Sequence, residues 1–168
     1  MTPRERIMAT LEHREPDRLA IDCGGTDCSS IHLIAYDRLR KHLGIEPRPI
    51  RLACKLQLVA DCDEEIQDRF HADVKALYFG PRKWRSWESG WGFDAQAPQL
   101  WRPEVLADGK SVIRDGAGVI RYERPAGGYY FDAASFVLAD VQSPQEFDKY
   151  QAIFDRWDWP APDDESVQ

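Results

Sequence analysis

The sequence predicts an α/β fold with an antiparallel β-meander inserted after residue 80. Over residues 1–80 the predicted elements run helix, strand, helix, helix, strand, an order that favours a parallel pair of strands. After residue 80, three short apolar runs are separated by Asp115-Gly116 and Gly127-Gly128, which are typical hairpin turns. The chain has 168 residues, of which 43% are hydrophobic and 30% charged, values typical of a globular domain with a core.

Local signals place the helices of this scheme. Thr2-Pro3-Arg4-Glu5 is a capping box with proline at the first helical position, and that helix should end near Arg14, before Pro16. The second helix is predicted from apolar residues on one face and ends at Gly44. Those apolar residues are Ile31, Ile34, Ala35, Leu39 and Leu43. Asp61-Cys62-Asp63-Glu64 begins a third helix, and a fourth, amphipathic helix is expected over 143–157.

The strands are predicted from short apolar runs. Residues 18–22 and 74–79 supply the expected parallel pair, 50–52 is a further short strand, and 56–60 is ambiguous between strand and helix. The meander strands centre on Val112-Ile113, Val119-Ile120-Arg121-Tyr122 and Tyr129-Tyr130-Phe131.

Charge and hydropathy exclude two classes of partner. The net charge of −7 and the pI of about 5.1 provide no basic stripe for nucleic acid. No run approaches the roughly 20 apolar residues of a membrane span, and the charged N-terminus does not resemble a signal peptide. We therefore expect a cytoplasmic protein whose four cysteines are thiols.

The joint between the first strand and the second helix is the candidate substrate-binding loop. Such joints expose backbone N–H groups that can bind a substrate or an anion. A purely structural turn explains the glycines equally well, and His32 either faces the substrate or merely begins the helix on its polar side. The candidate substrate-binding residues are Gly24, Gly25, Thr26, Asp27, Ser29, Ser30 and His32.

Three other functional interpretations of the sequence remain open. Cys23, Cys28 and His32 could be metal ligands, but their spacing is loose for zinc, and we favour Cys23 as a small apolar residue ending a strand. Asp22 and Asp27 could form an acid–base pair of undetermined separation. Four tryptophans could form a binding surface, or cover the meander and the domain below it, which we favour. They are Trp84, Trp87, Trp91 and Trp101.

Several motifs, in order, resemble the uroporphyrinogen decarboxylase-like superfamily, and most closely its branch of cobalamin-linked methyltransferases. The opening Thr2-Pro3-Arg4-Glu5-Arg6 is followed by His13-Arg14-Glu15-Pro16-Asp17-Arg18. The resemblance is strongest over residues 1–80. The further motifs are Gly24-Gly25-Thr26, Ser29-Ser30-Ile31-His32, Ala35-Tyr36-Asp37, Leu39-Arg40-Lys41-His42-Leu43-Gly44, Asp63-Glu64-Glu65, Arg69-Phe70 and Asp73-Val74.

This resemblance implies a (β/α)8 TIM-type barrel, which needs about 250 residues. The chain would then be the N-terminal part of such a barrel, a single incomplete domain with an inserted antiparallel β-meander. Its parts would be αβ units over 1–80, a Trp-rich loop and meander over 81–142, the helix at 143–157 and a tail at 158–168. An incomplete barrel leaves open strand edges, so we expect a C-terminal half or self-association to cover them.

The sequence also departs from the family. Members that decarboxylate uroporphyrinogen carry paired arginines in the loop after the first strand and an acidic residue after the next strand. Residues 23–32 contain no arginine, and residues 77–81 contain no carboxylate. The methyltransferase branch holds zinc with a His-x-Cys pair and a later Cys, and takes methyl groups from a corrinoid. The chain has no His-x-Cys pair, so zinc, corrinoid and a corrinoid protein are implied only for a complete family member.

The sequence thus leaves several functional hypotheses. The first is an N-terminal segment of a protein related to corrinoid-dependent methyl transfer, inactive alone. The alternatives are a non-catalytic partner or binding module, a fragment of a carboxy-lyase of the uroporphyrinogen decarboxylase type, and a truncated product without a function of its own.

Overall fold

The structure, a computed structural model, describes residues 1–77, 83–136, 138–148 and 150–151. The described chain divides into two compact units. The first contains residues 1–77 and 83–101, and the second contains the described residues from 102 onward.

The three α-helices that lie wholly within the described residues are in the N-terminal part of the first unit. They are α1 (Pro3–Leu11), α2 (Leu33–His42) and α3 (Glu64–Arg69). The predicted capping box is present at α1, because the Thr2 hydroxyl accepts from the Glu5 N–H and the Glu5 carboxylate accepts from the Thr2 N–H. The capping residues therefore determine where this helix begins.

The first unit also contains a four-stranded mixed sheet. Its strands are β1 (Ile50–Cys54), β2 (Val59–Ala60), β3 (Trp84–Glu88) and β4 (Asp94–Pro98), in the order β2-β1-β4-β3. The β1–β2 and β3–β4 pairs are antiparallel, whereas β1 and β4 are parallel. A core of apolar side chains from α2, α3 and the sheet is fully buried. Its largest members are Leu33, Tyr36, Leu52 and Ile66, together with Leu58 from the turn between β1 and β2.

The second unit contains a four-stranded antiparallel meander. Its strands are β5 (Glu104–Val105), β6 (Ser111–Arg114), β7 (Ile120–Arg124) and β8 (Asp132–Ala133), paired in chain order. The Asp115 carboxylate caps the β6–β7 turn by accepting from the N–H groups of Ala117 and Val119. The predicted meander and its Asp115-Gly116 turn are therefore present.

The predicted N-terminal part of a (β/α)8 barrel is wrong. The described residues form three α-helices and two small sheets that are mostly antiparallel, so the described part of the chain is β-rich. A barrel requires successive parallel strands, each followed by a helix. Here the parallel neighbours β1 and β4 are separated by β2, α3 and β3, and each of them also pairs with an antiparallel strand.

The expected strand at 18–22 is also absent, for a local reason. The Ile21 N–H donates to the Asp73 carboxylate at 3.0 Å, and the Ile21 carbonyl accepts from the Asp73 N–H at 2.7 Å. This single attachment uses the backbone groups that a strand ladder would need. Residues 72–77 form no strand either, so the expected parallel pair does not form there, and residues 78–79 of that prediction lie outside the described residues.

Two further predicted elements differ in extent. The run at 129–131 precedes β8 rather than forming it, and the predicted helix at 143–157 begins with a 3-10 turn, Pro144–Phe147. The rest of that prediction falls largely outside the described residues. None of the helices in the described ranges is long and apolar enough to cross a bilayer.

Candidate functional site

The candidate loop is closed by its own hydrogen bonds. The Gly25 N–H donates to the Asp22 carboxylate at 2.7 Å, and the Gly24 N–H donates to the Ser29 carbonyl at 3.1 Å. The Thr26 N–H donates to the Ser29 hydroxyl at 3.0 Å, beside a 3-10 turn, Asp27–Ser29. The backbone N–H groups expected to bind an anion are therefore engaged within the loop.

The two glycines allow the loop to pack closely on its surroundings. Gly24 has a φ of +84°, and a Cβ at this position would lie 2.6 Å from the Cys62 Cβ. A Cβ on Gly25 would lie 2.6 Å from the Val74 Cγ1. Both distances are too short for any side chain, so the glycines serve tight packing as well as the turn.

Ser30 and His32 attach the end of the loop to its neighbours. The Ser30 hydroxyl donates to the Ala60 carbonyl, and its oxygen lies 3.7 Å from the Cys62 sulfur. The His32 Nδ1 accepts from the Ile34 N–H at 3.3 Å and so caps α2, while its ring lies 5.3 Å from the Trp91 ring. His32 thus has a structural use in both contacts.

The predicted site residues divide into two groups. Gly24, Ser30 and His32 are buried or half-buried and hold the loop in place, whereas Thr26 and Asp27 are exposed. The Asp22 carboxylate is used to close the loop, which disfavours it as half of an acid–base pair. Within the loop itself, the turn from Thr26 to Cys28 is the most exposed part.

The cysteines do not have the arrangement that the metal-site hypothesis predicts. Within the part of the chain that the structure describes, no three histidine, cysteine or acidic residues are grouped to hold a metal ion. Cys28 is exposed, whereas Cys62 is buried beside Cys23. Burial, partly opposed by the Ser30 hydrogen bond and reinforced by the neighbouring Cys23 thiol and Asp61, raises the pKa of Cys62 to about 11.

A charged network that sequence reasoning did not select as a site lies next to the loop. The Asp73 carboxylate accepts from Arg18 at 2.7 and 3.0 Å and also from Arg6. Arg6 in turn donates to Asp17 at 2.7 and 3.0 Å. Arg6 is buried, and the Asp73 side chain has no exposed surface.

The pKa values of both carboxyls in this network are shifted. The Arg6 guanidinium holds the pKa of Asp17 well below its usual range. Burial alone would raise the pKa of Asp73, but hydrogen bonds from the Ile21 N–H, Arg18 and Arg6 together lower it. Both groups are therefore carboxylates that stabilise the fold, and their charges are matched within the network.

A second hub forms around Asp63 at the start of α3. The buried Tyr36 hydroxyl donates to the Asp63 carboxylate at 2.8 Å and accepts from the Asp63 N–H at 2.7 Å. Arg40 and Arg48 lie 3.6 and 3.3 Å from the same carboxylate. Burial raises the pKa of Tyr36 above its ordinary value, so this hydroxyl stays protonated and serves packing.

Three of the tryptophans pack against one another rather than forming an open surface. The Trp87 ring contacts the Trp101 ring edge-on at 5.1 Å and the Trp91 ring at 6.2 Å. Trp101 is buried, and the other two are half-buried. Trp84 lies on the other face of β3, with the Arg51 guanidinium 5.6 Å from its ring centroid. This arrangement disfavours an open binding surface made of the tryptophan rings.

A cleft of about 500 Å³ opens beside the Asp63 hub. Its walls carry charges of both signs, from Arg48, Arg51, Asp61 and Glu64. Arg48 is already paired with Asp63 and Glu65, and Arg51 donates to Gln96 at 3.3 Å. The cleft therefore does not present a concentrated charge of one sign to a ligand.

No family model matches the chain, and comparisons with curated proteins and with solved structures found no match.

Proposed function

We propose that this chain is a non-catalytic N-terminal segment of a uroporphyrinogen decarboxylase-like protein related to corrinoid-dependent methyl transfer. Its role is to form a stable scaffold. This scaffold presents the turn at Thr26, Asp27 and Cys28 to a substrate-binding site whose remaining residues come from another polypeptide. In this role the described residues contribute no part of a (β/α)8 barrel.

The observation that carries this proposal is the ion-pair network. Arg6, Asp17, Arg18 and Asp73 all belong to motifs on which the resemblance rests, and the structure brings them together. Their spacing along the sequence is thus explained by one folding requirement. These four charged groups pair with one another, which favours a role in stabilising the fold over a role in catalysis.

The geometry of the loop supports the same role. Its backbone N–H groups are engaged, and its two glycines press against Cys62 and Val74. A rigid loop of this kind can position the exposed side chains of Thr26 and Asp27 without supplying an acid, a base or a nucleophile of its own. Zinc and corrinoid chemistry is assigned to the remainder of the proposed assembly.

The test compares the isolated chain with its natural assembly. The isolated chain should not transfer a methyl group from methylcobalamin to a thiol, nor decarboxylate uroporphyrinogen. The polypeptide purified from its native cells through an N-terminal tag, with any companion chains, should catalyse the methyl transfer. Turnover by the isolated chain would refute the non-catalytic role, and an inactive natural assembly would refute the relationship to methyl transfer.

Variants of the exposed turn sharpen this test. Asp27→Asn changes a loop side chain that faces solvent, and Arg38→Gln changes an exposed position on α2 as the matched control. In the active assembly, Asp27→Asn should raise KM for the acceptor several-fold, while Arg38→Gln should leave it unchanged. Equal KM values for the two variants would mean that the loop does not contact the substrate.

The second candidate is a non-catalytic binding module, favoured by one observation in the second unit. Tyr129, Tyr130 and Phe136 expose 57%, 52% and 69% of their surface. Sedimentation over a range of protein concentrations should then show self-association that Phe136→Ser weakens and Val105→Ser, at an exposed position on β5, does not. A monomer at all concentrations would count against self-association.

A further inference from the structure

Two cysteines that are distant in the sequence meet beneath the candidate loop. Cys23 immediately precedes Gly24, where a Cβ would lie 2.6 Å from the Cys62 Cβ and 2.8 Å from its sulfur. The backbone beside Cys23 therefore presses directly on Cys62. The Cys23 thiol also lies close enough to raise the pKa of Cys62, so the two thiols are neighbours in the folded chain.

We propose that Cys23 and Cys62 form a reversible disulfide that clamps the candidate loop to the start of α3. Neighbouring side chains already contact both cysteines. The Cys23 carbonyl accepts from the Gln67 side chain of α3 at 3.3 Å, and the Ser30 hydroxyl lies 3.7 Å from the Cys62 sulfur. A bond between ordered ends stabilises the fold mainly by restricting the unfolded chain between them.

The chemistry balances with a low-molecular-weight disulfide, such as oxidised glutathione, as oxidant. The Cys23 thiolate attacks one sulfur of the oxidant, whose S–S bond breaks and releases one small thiolate that takes up a proton. Cys62 then loses its proton and attacks the Cys23 sulfur, which releases the second small thiol. Two protein thiols are oxidised to one disulfide while one small disulfide is reduced to two thiols.

Exposure sets the order of these two steps. Cys23 is half-exposed and can be reached by the oxidant, whereas Cys62 is buried and its pKa is raised to about 11 by that burial. Cys62 is therefore a poor first nucleophile, and it reacts only after the mixed disulfide has formed next to it. Cys28 and Cys54 provide the controls, the first exposed in the 3-10 turn and the second half-buried at the end of β1.

The test uses the full chain carrying Cys28→Ser and Cys54→Ser, so that only the proposed pair remains. After incubation of the folded protein in an oxidising glutathione buffer, alkylation in denaturant should find neither thiol free and the mass should be about 2 Da lower, and dithiothreitol should restore both thiols. Its melting temperature should rise by several degrees on oxidation. Adding Cys23→Ser should abolish both effects.

Three results would overturn the proposal. The first is that no Cys23–Cys62 disulfide forms, whether both thiols remain open to alkylation or the reaction stops at a glutathione adduct. The second is that the wild-type chain forms its first cross-link through Cys28 or Cys54. The third is that the chain carrying Cys23→Ser shows the same rise in melting temperature, because the clamp would then not be its cause.

Discussion

The Asp73 carboxylate accepts two hydrogen bonds from the Arg18 guanidinium, one at each oxygen, at 2.7 and 3.0 Å. Such two-point pairing combines charge with fixed geometry and is the strongest common form of ion pair. It joins positions separated by the candidate loop, α2, β1, β2 and α3. The pair therefore holds the segment before the candidate loop against the segment that follows α3.

Removing the charge of Asp73 should destabilise the fold strongly. Asp73→Asn leaves Arg18 and the buried Arg6 without their shared carboxylate, which should lower the free energy of unfolding by about 3 kcal/mol. Asp68→Asn, at an exposed position on α3, is the matched control and should change it by less than about 0.5 kcal/mol. Urea denaturation followed by circular dichroism measures both, and equal values would mean that the network does not stabilise the fold.

The same network should make the protein sensitive to acid. The pKa values of Asp17 and Asp73 are lower in the folded chain than the value of about 4 expected in the unfolded chain. The stability that they contribute is therefore fully present above about pH 4 and is lost as the pH falls from there through the folded pKa values. Urea titrations from pH 7 to pH 3 should show a smaller loss for Asp73→Asn than for the wild type. Parallel curves would contradict this assignment.

The elements that the sequence predicts well are those with local causes. The helix α1 follows from the capping box at Thr2 and Glu5, and the turn after β6 follows from Asp115. The strands β3 and β4 were not expected, and in β4 Ala95 and Ala97 have low strand propensity. They fit there because small side chains lie opposite large ones, as Ala95 does opposite Trp87.

The candidate site could be predicted only in part, for the same physical reason. The glycine-rich loop is a continuous stretch, so its turn could be anticipated from Gly24 and Gly25, whereas their close contacts with Cys62 and Val74 could not. The pairing of Arg6 and Arg18 with Asp73 depends on contacts across more than fifty residues, which a single sequence does not reveal. The predicted barrel failed likewise, because strand pairing depends on which distant segments meet.

Gly24 should tolerate substitution much less well than another glycine with positive φ. Gly24→Ala adds a methyl group that would lie 2.6 Å from the Cys62 Cβ, in a backbone conformation that disfavours side chains. We expect a loss of about 3 kcal/mol in the free energy of unfolding. Gly44→Ala has a similar φ of +68° but open space around the new methyl group, so it should lose only about 1 kcal/mol. Equal losses in chemical denaturation would show that packing against Cys62 is unimportant.

The two structural uses of His32 can be separated by substitution. His32→Ala removes both the acceptor that caps α2 and the ring 5.3 Å from Trp91, whereas His32→Asn keeps a short side-chain acceptor and removes only the ring. Because a cap is worth about 1 kcal/mol, Ala should destabilise the protein by that amount relative to Asn. Both variants should change the tryptophan fluorescence equally, because both lose the ring next to Trp91. If Asn and Ala are equally unstable, the Nδ1 contact with Ile34 does not act as a cap, and the ring contact alone accounts for the position of His32.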